Sequence, residues 1–166
     1  MRSVTGTLPE TAWQGLAEAI AGDVVRPGTA GYDVLRRPMI PRFDDVRPAA
    51  VVLCDAPEDV AATLALARSA GLPVAVRSGG HCFGGRSTTE GVVINVSPLD
   101  SVAVAGDRAT IGAGARLGDV YDALDAQGLT IAGGCGPTVG IAGLTLGGGP
   151  RSTRAGARGS RARRRA

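Results

Sequence analysis

A glycine-rich turn directly after a short apolar run constrains this chain more than any other feature. The apolar run, residues 72–76, has the length and composition of a buried strand. The turn, residues 77–85, has the sequence Arg-Ser-Gly-Gly-His-Cys-Phe-Gly-Gly. Glycine adopts backbone conformations that other residues avoid. Such a turn can therefore direct several backbone N–H groups at one point and form a cradle for phosphate oxygens.

The first turn follows a predicted β-α-β unit. Residues 49–54 form a short apolar strand, residues 55–58 begin a helix that Gly71 ends, and residues 74–76 form the next strand. Crossovers of this kind connect parallel strands. The turn then lies at the carboxyl end of a strand, where open α/β sheets bind ligands.

Residues 1–48 precede this unit and predict one helix followed by an irregular segment. Thr7 begins a capping box, and apolar residues at helical spacing follow it. Residues 23–48 have no sustained period. We expect Tyr32 and Phe43 to anchor this segment to the core.

Past the first turn, three short strands are predicted over residues 92–96, 101–104 and 108–111, and their turn residues favour antiparallel pairing. A helix over residues 117–124 and a second glycine-rich turn, residues 133–149, come next. The predicted fold class is therefore α+β, with a small parallel β-α-β subdomain joined to a mostly antiparallel subdomain.

Four motifs occur in an order that is typical of one group of flavoproteins. They occupy residues 77–81, 87–95, 112–120 and 133–149. On these motifs the chain resembles the FAD-binding domain of the vanillyl-alcohol-oxidase type, also called the PCMH type. Within it, the chain resembles the berberine-bridge-enzyme-like FAD-linked oxidoreductases. The rival is a dinucleotide fold, which is disfavoured because no Gly-x-Gly-x-x-Gly motif joins the first strand to its helix.

The resemblance covers residues 40–149 and implies that the glycine-rich turns converge on one cleft, through residues 77–83 and 133–143. It also implies three parts. These are an N-terminal helix with its approach segment (1–48), a partial FAD-binding domain (49–149) and an Arg-rich tail without folded structure (150–166). The family continues from the second turn into more folded chain and a substrate domain. The resemblance therefore implies a domain that is incomplete at its C-terminus.

The resemblance assigns the FAD cofactor to residues of the two turns. The assigned residues are Arg77, Ser78, Gly79, Gly80, His81, Cys82, Cys135, Gly136, Pro137, Val139, Gly140, Ile141 and Gly143. Backbone N–H groups of the first turn are expected at the pyrophosphate, and the second turn is expected to let the backbone approach the flavin ring. Two alternatives stay open for Arg77, a phosphate contact or an exposed strand end. Cys82 is expected to be a small turn residue, and Cys54 a core residue.

His81, the only histidine of the chain, is the candidate for a covalent link to FAD. Family members with this pattern commonly join the flavin 8α-methyl group to a ring nitrogen of this histidine. That chemistry is plausible because a neutral imidazole is nucleophilic. The alternative is a turn histidine that hydrogen-bonds to nearby backbone.

Cys135 is the candidate for a second link, to flavin C6. Family members with two links have the order Cys-Pro-x-Val-Gly, whereas residues 135–140 have the order Cys-Gly-Pro-Thr-Val-Gly. Gly136 therefore occupies the cysteinyl position, and Cys135 lies one residue early. A second thioether and a buried inert thiol both stay open.

By resemblance, the parent enzyme is an FAD-dependent oxidase or dehydrogenase. It would take hydride from a C–H bond of an alcohol, sugar or alkaloid-like small molecule to flavin N5, with oxygen as the expected acceptor. No general base is identified, because the family supplies it from the substrate domain. The chain alone is therefore expected to be inactive. The alternatives are a non-catalytic or vestigial flavin-binding fragment and a basic-tailed nucleic-acid-binding protein.

Composition restricts the remaining function classes. Cys54, Cys82 and Cys135 are widely spaced and form no Cys-x-x-Cys pair, which argues against a disulfide framework and a zinc site. No apolar run reaches the roughly 18 residues of a membrane-spanning helix, and no apolar h-region follows the N-terminus. We expect a cytoplasmic protein without a membrane partner or a metal.

The last segment, residues 150–166, has an unusual composition. It holds seven of the 18 arginines and no acidic residue, so residues 1–150 carry a net charge of −4. It has no apolar period and cannot bury a core. The chain has no lysine, which suggests a GC-rich gene, and a frameshift is the preferred explanation of this tail. A native solvated tail and a nucleic-acid-binding arm are the alternatives.

Overall fold

The computed structural model describes residues 8–148, and a four-stranded sheet forms the first half of the fold. The elements of this half are α1 Glu10–Ala19, β1 Asp23–Val25, α2 Tyr32–Leu35, β2 Ala50–Leu53, α3 Pro57–Ser69, β3 Val74–Arg77 and β4 Val92–Asn95. The strand order is β1-β2-β4-β3, in which β1 is antiparallel to β2 and the other pairs are parallel. Helix α3 connects β2 to β3, which confirms the predicted β-α-β unit.

Apolar residues of the central strands fill both faces of this sheet. Val51 pairs with Val93 on one face, and Val52 pairs with Ile94 on the other. Trp13 of α1 joins Val52 and Ile94 in one hydrophobic core, together with residues of α3. Strands that are buried on both faces need such continuous apolar runs.

Strand β4 differs from its prediction. The turn residues after it favoured antiparallel pairing, but β4 lies between β2 and β3 and is parallel to both. All four of its residues are buried. The apolar run itself, rather than the turns that follow, is the signal of a parallel strand.

Residues 23–48 are less irregular than predicted, because they contain β1, the short helix α2 and a 3-10 turn at Pro41–Phe43. Tyr32 is buried, and its hydroxyl donates a hydrogen bond to the Pro48 carbonyl at 2.6 Å. This contact confirms Tyr32 as an anchor. The half-buried ring of Phe43 lies against Gly85 of the first glycine-rich turn.

The N-terminus of α3 is held by Asp59, not by Asp55 as the capping pattern predicted. The Asp59 carboxylate accepts hydrogen bonds from the N–H groups of Ala21, Gly22, Asp55 and Ala56 at 2.9–3.1 Å. Burial, the largest single influence, raises the pKa of this carboxyl, but the four hydrogen bonds together outweigh it and lower the pKa below its usual value. Asp59 therefore ties α3 to the chain that follows α1.

The second half of the fold contains β5 Val102–Ala105, β6 Arg108–Ile111, α4 Leu117–Asp125 and α5 Ile141–Gly147. β5 and β6 form the predicted antiparallel pair. Val120 and Leu124 of α4 form a second core with Leu129. Helix α5 was not predicted, because Gly143 and Gly147 lower the helix propensity of this segment.

Two predictions lie outside the described residues: the capping box at Thr7 and the tail over residues 150–166. Pro9 occupies the N-cap of α1. Between residues 8 and 148, no helix is both long and apolar enough to cross a membrane. The same part of the chain holds no group of His, Cys, Asp and Glu residues that could bind a metal ion.

Candidate functional site

The first glycine-rich turn leaves the end of the edge strand β3 and forms one wall of a cleft. Residues 78–83 all line this cleft. Their backbone N–H groups donate to no acceptor within residues 8–148. Gly80 has a φ of 73°, which glycine alone adopts at low cost, and its carbonyl accepts a hydrogen bond from the Met39 N–H. The turn is therefore fixed in place while its donors stay free.

The second glycine-rich turn reaches the same cleft from the opposite side. A Cβ atom on Gly140 would lie 2.2 Å from the Ser78 hydroxyl oxygen, so the two turns are in contact. The predicted convergence is confirmed. The cleft has a volume of about 510 Å³. Its wall is formed by Val76, Ser78, Gly79, Gly80, His81, Cys82, Phe83, Arg86, Ser87, Val139, Gly140, Gly143, Leu144, Gly147 and Gly148.

Helix α4 holds the second turn in position. The N–H of Leu117 donates to the Val139 carbonyl, and the N–H of Gly118 donates to the Pro137 carbonyl, both at 2.9 Å. A Cβ atom on Gly118 would lie 3.3 Å from Pro137, so glycine gives this approach more room than any other residue. The position of the second turn is thus determined by the second half of the fold, and that of the first turn by the sheet.

Two hydroxyl groups of the cleft wall have no hydrogen-bond partner within the described residues. The oxygens of Ser78 and Ser87 are both buried, and Ser87 as a whole is 6% exposed. A buried hydroxyl without a partner is costly. Together with the free N–H groups of residues 78–83 and the exposed cation of Arg86, these hydroxyls fit a ligand that carries phosphate oxygens.

Arg77 occupies neither of its two predicted places. Its side chain is buried and donates to the carbonyls of Ser87, Leu35 and Arg36 at 2.6–2.9 Å. Burial lowers the pKa of its guanidinium to about 10, so the group stays charged at neutral pH. The prediction of an exposed strand end is wrong, because Arg77 is buried. The side chain also does not line the cleft, where it would have to lie to contact a phosphate. Arg77 instead clamps two distant segments to the end of β3.

His81 lies in the cleft wall and is half-buried. Its Nε2 atom lies 3.0 Å from the hydroxyl oxygen of Thr138 in the second turn. The alternative of a turn histidine bonded to nearby backbone is therefore not what the structure has. The ring is held instead by a side chain 57 residues away in sequence.

The predicted residues of the second turn divide into two sets. Val139, Gly140 and Gly143 line the cleft. Cys135, Gly136 and Pro137 do not line it, and Cys135 is exposed rather than buried. Ile141 also lies outside the wall and packs on the second core.

The three cysteines are free thiols in different surroundings. Cys82 is half-buried in the cleft wall. Cys54 is fully buried in the core beside the sheet, as predicted. Burial, and then the charge of Asp59, raises the pKa of the Cys54 thiol to about 11, so this thiol is protonated and inert at neutral pH.

Several cleft or support residues were not predicted, among them Arg86, Ser87, Thr138 and Leu144. Ser87 begins the second family motif, which identified the family but gave this serine no role. Leu144 belongs to the helix that its glycine neighbours concealed. Thr138 could only have been found by knowing that the two turns meet.

The comparisons with known proteins identify the family of this chain. The sequence pattern of the FAD binding domain family matches residues 48–161, more than half of the chain. (R)-6-hydroxynicotine oxidase from Paenarthrobacter nicotinovorans is 35% identical over 134 residues, which cover 79% of this chain and 29% of that protein.

Solved structures of similar proteins belong to the same family of flavoproteins. 6-Hydroxy-D-nicotine oxidase from Arthrobacter nicotinovorans has a TM-score of 0.73 at 34% identity, over 75% of this chain and 28% of that one. Glucooligosaccharide oxidase from Acremonium strictum, with its 6-S-cysteinyl, 8α-N1-histidyl FAD, has a TM-score of 0.74 at 28% identity. The match covers 84% of this chain and 30% of that one. This chain thus spans less than a third of the length of each of these proteins. It belongs to the FAD binding domain family, as a PCMH-type domain of the berberine-bridge-enzyme-like FAD-linked oxidoreductases.

Proposed function

We propose that this chain binds FAD in the cleft between its two glycine-rich turns, as the cofactor-binding part of a small-molecule oxidase or dehydrogenase. One observation carries the proposal: the unpartnered N–H groups of residues 78–83 and the buried hydroxyls of Ser78 and Ser87 meet in a single cleft. The bound flavin would supply the redox chemistry by accepting hydride from a substrate C–H bond, with oxygen as the final acceptor.

The first turn is suited to hold the pyrophosphate. The N–H groups of Ser78, Gly79, Gly80 and Cys82 have no other acceptor in the described chain, and anions bind where several such donors converge. Arg77 contributes indirectly, because its guanidinium fixes the strand end from which the turn starts. The exposed side chain of Arg86 in the cleft wall adds a positive charge that attracts phosphate.

The second turn is suited to accept the flavin ring. Gly140 and Gly143 place no side chain in the cleft, and Val139 adds an apolar surface beside them. A planar ring can therefore approach the backbone closely. The exposed fraction of Phe83 is 76%, so one side of the cleft is open to water.

His81 is the residue that we expect to carry a covalent link to the flavin. Its place in the cleft wall supports this role. The histidyl FAD of the similar glucooligosaccharide oxidase supports it as well. A second link through Cys135 has weaker support, because this thiol is exposed and lies outside the wall. One link through His81 is the simpler arrangement.

The activity of the whole protein belongs to the same proposal. The similar 6-hydroxynicotine oxidases act on a small organic molecule, as their names state, and we infer a substrate of that general class. Three free thiols suit a reducing compartment, which favours the cytoplasm. We propose no nucleic-acid partner. A non-catalytic flavin-binding protein is the alternative, and it would bind FAD without any turnover.

The experiment is to incubate the purified full chain with FAD and then precipitate it with acid. Yellow colour that stays with the precipitated protein measures covalent flavin. We expect it to form slowly, because the cleft is open to water and orients the cofactor incompletely. His81→Ala should abolish the acid-stable colour and keep reversible FAD binding, while Cys135→Ser should keep both. A folded chain that binds no FAD would overturn the proposal, and acid-stable colour in His81→Ala would move the link to another residue.

A further inference from the structure

We propose that Phe43 is a positioning residue for the cofactor: its ring supports the first glycine-rich turn from behind and keeps the turn in the shape that binds phosphate. The inference rests on the proposed function in one respect, because the ligand it names is FAD. Phe43 does not line the cleft, and it lies before residue 48, where the match to the FAD binding domain family begins. The family pattern therefore gives this residue no role.

The first turn is too rich in glycine to fix its own shape. Four of the nine residues 77–85 are glycine, and glycine has more backbone freedom to lose on folding than any other residue. A turn that became ordered only when FAD arrived would lose part of the binding free energy to that ordering. Contacts from another part of the chain are therefore needed to order the turn in advance.

The segment before β2 contacts the turn on both sides of two cleft residues, His81 and Cys82. On the N-terminal side, the Met39 N–H donates to the Gly80 carbonyl at 3.2 Å. On the C-terminal side, the ring of Phe43 lies against the last glycine of the turn. The N–H groups of His81 and Cys82 donate to no acceptor within residues 8–148. The two contacts thus hold the turn at its flanks and leave the donors between them free for a ligand.

The contact between Phe43 and Gly85 is close. A Cβ atom on Gly85 would lie 2.6 Å from Cε1 and 2.7 Å from Cζ of the ring, so the ring lies directly against the backbone of the turn. The Arg42 guanidinium lies 4.8 Å from the centroid of this ring and donates a hydrogen bond to the Phe83 carbonyl. The ring is half-buried, and the 3-10 turn Pro41–Phe43 orders its backbone. Phe43 is therefore a fixed support for the turn.

The position of Gly85 determines where the next two residues lie. Arg86 and Ser87 follow it directly and both line the cleft, whereas Gly85 does not. The hydroxyl oxygen of Ser87 is buried without a hydrogen-bond partner in the described chain, which points to a ligand at this place. The Gly85 N–H also donates to the Cys82 carbonyl at 3.1 Å, so a shift of Gly85 would move Cys82 as well. Phe43 thus acts on the phosphate-binding groups through the backbone.

The experiment titrates the full-length wild type, Phe43→Ala and Ile20→Ala with FAD and records the melting temperature of each. Ile20 is the matched control, because it is a half-buried apolar residue that packs on the first core and does not line the cleft. We expect Phe43→Ala to bind FAD about tenfold more weakly, since FAD must then order the turn itself. Ile20→Ala should melt at a lower temperature and bind FAD with the wild-type affinity. A purely structural role of Phe43 would give this second pattern in both variants.

Hydrogen exchange of single amides measures the order of the turn without any ligand. The Gly85 N–H donates to the Cys82 carbonyl, and the Thr88 N–H donates to the Gly85 carbonyl at 3.3 Å. In Phe43→Ala both amides should exchange at least about tenfold faster than in the wild type, because the turn opens locally. In Ile20→Ala they should exchange at the wild-type rate. Phe43→Leu keeps an apolar side chain without the planar ring, and it should show smaller changes of the same kind if Phe43→Ala does not fold.

Unchanged FAD affinity in the folded Phe43 variants would overturn the proposal, and so would unchanged exchange at Gly85 and Thr88. A wild-type chain that binds no FAD would contradict the proposed function, and the titration is then repeated with inorganic pyrophosphate. Weaker pyrophosphate binding in Phe43→Ala would support the positioning role on its own, and equal binding would overturn it. A wild-type chain that binds neither ligand would overturn both proposals.

Discussion

A Cβ atom on Gly79 would lie 2.4 Å from the backbone nitrogen of Gly140 and 2.7 Å from the Thr138 carbonyl oxygen. The two glycine-rich turns therefore meet backbone to backbone. Neither contacting atom belongs to a flexible side chain that could move aside. This contact joins the two halves of the fold at the cleft, whose wall includes both glycines.

Gly79→Ala should consequently force the turns apart. We expect a loss of about 1–3 kcal/mol in the free energy of unfolding, the usual cost of inserting a methyl group into a tightly packed place. Urea denaturation measures this value. Gly15→Ala is the matched control, because nothing lies within 4 Å of its Cβ position in α1, and it should gain about 0.5–1 kcal/mol. If Gly79→Ala is as stable as the wild type, the turns are not in contact in solution.

Asp59→Asn tests the carboxylate that joins α3 to the chain after α1. Hydrogen bonds to a charged group contribute about 1.5–3 kcal/mol, and an amide can accept from fewer donors, so we expect a loss of that order at neutral pH. Asp55→Asn, on the exposed neighbour, should change stability little.

The same variant has a defined pH dependence. The pKa of Asp59 is lowered by folding, so its stabilising effect is present above the usual carboxyl pKa and is lost as the pH falls through the folded value. The stability difference between wild type and Asp59→Asn should therefore shrink under acid conditions. A constant difference down to low pH would contradict this account.

Cys54 should make the stability of the fold depend on pH in the alkaline range, in the direction opposite to that of Asp59. Because burial raises the pKa of its thiol to about 11 from the usual value of 9.0, the folded state holds a proton that the unfolded state releases. Stability should fall as the pH rises from 9.0 to about 11, by about 2–3 kcal/mol in total. Thermal unfolding across this range measures it. In Cys54→Ala the thiol contribution to this slope should vanish, whereas Cys82→Ala should keep it.

Arg77→Lys tests the clamp at the end of β3. Lysine has one charged nitrogen and cannot reach carbonyls of two segments in the planar arrangement that a guanidinium allows. We expect a loss of about 2–4 kcal/mol, since buried acceptors lose their partners. The control is Arg37→Lys, because Arg37 is exposed and directly follows the carbonyls of Leu35 and Arg36 that Arg77 binds. This control should have little effect on stability. Comparable stability of both variants would show that the buried hydrogen bonds of Arg77 do not hold the turn.

Local patterns predicted the parts of the fold that depend on local sequence. The strands at residues 50–53 and 74–77, the helix between them and the hairpin at residues 102–111 all follow from apolar runs and turn residues. The glycine-rich turns were recognisable for the same reason, because a close backbone approach requires glycine wherever it occurs. The convergence of the turns followed from the family resemblance.

The missed features depend on contacts between distant residues. Arg77 donates to carbonyls 41 and 42 residues away, so its sequence neighbours say nothing of its burial. Strand β1 has only three residues and forms through its pairing with β2. The parallel direction of β4 is set by its two neighbours in the sheet. Thr138 meets His81 only because α4 and the sheet bring their turns together.

Gly143 offers the most direct test that the cleft binds FAD. This glycine lies in α5 and in the cleft wall, and nothing lies within 4 Å of its Cβ position. Gly143→Leu should therefore preserve the fold, and leucine favours a helix more than glycine does, while its side chain occupies space that the flavin needs. Gly15→Leu makes the same change at an exposed position of α1.

The deciding measurement is an equilibrium titration of the three proteins with FAD, followed by flavin fluorescence, with melting temperatures recorded alongside. The account predicts saturable binding of one FAD per chain in the wild type and in Gly15→Leu. It predicts at least about tenfold weaker binding in Gly143→Leu, whose melting temperature should not fall. Equal affinity in all three folded proteins would contradict the account, because FAD would then bind outside this cleft.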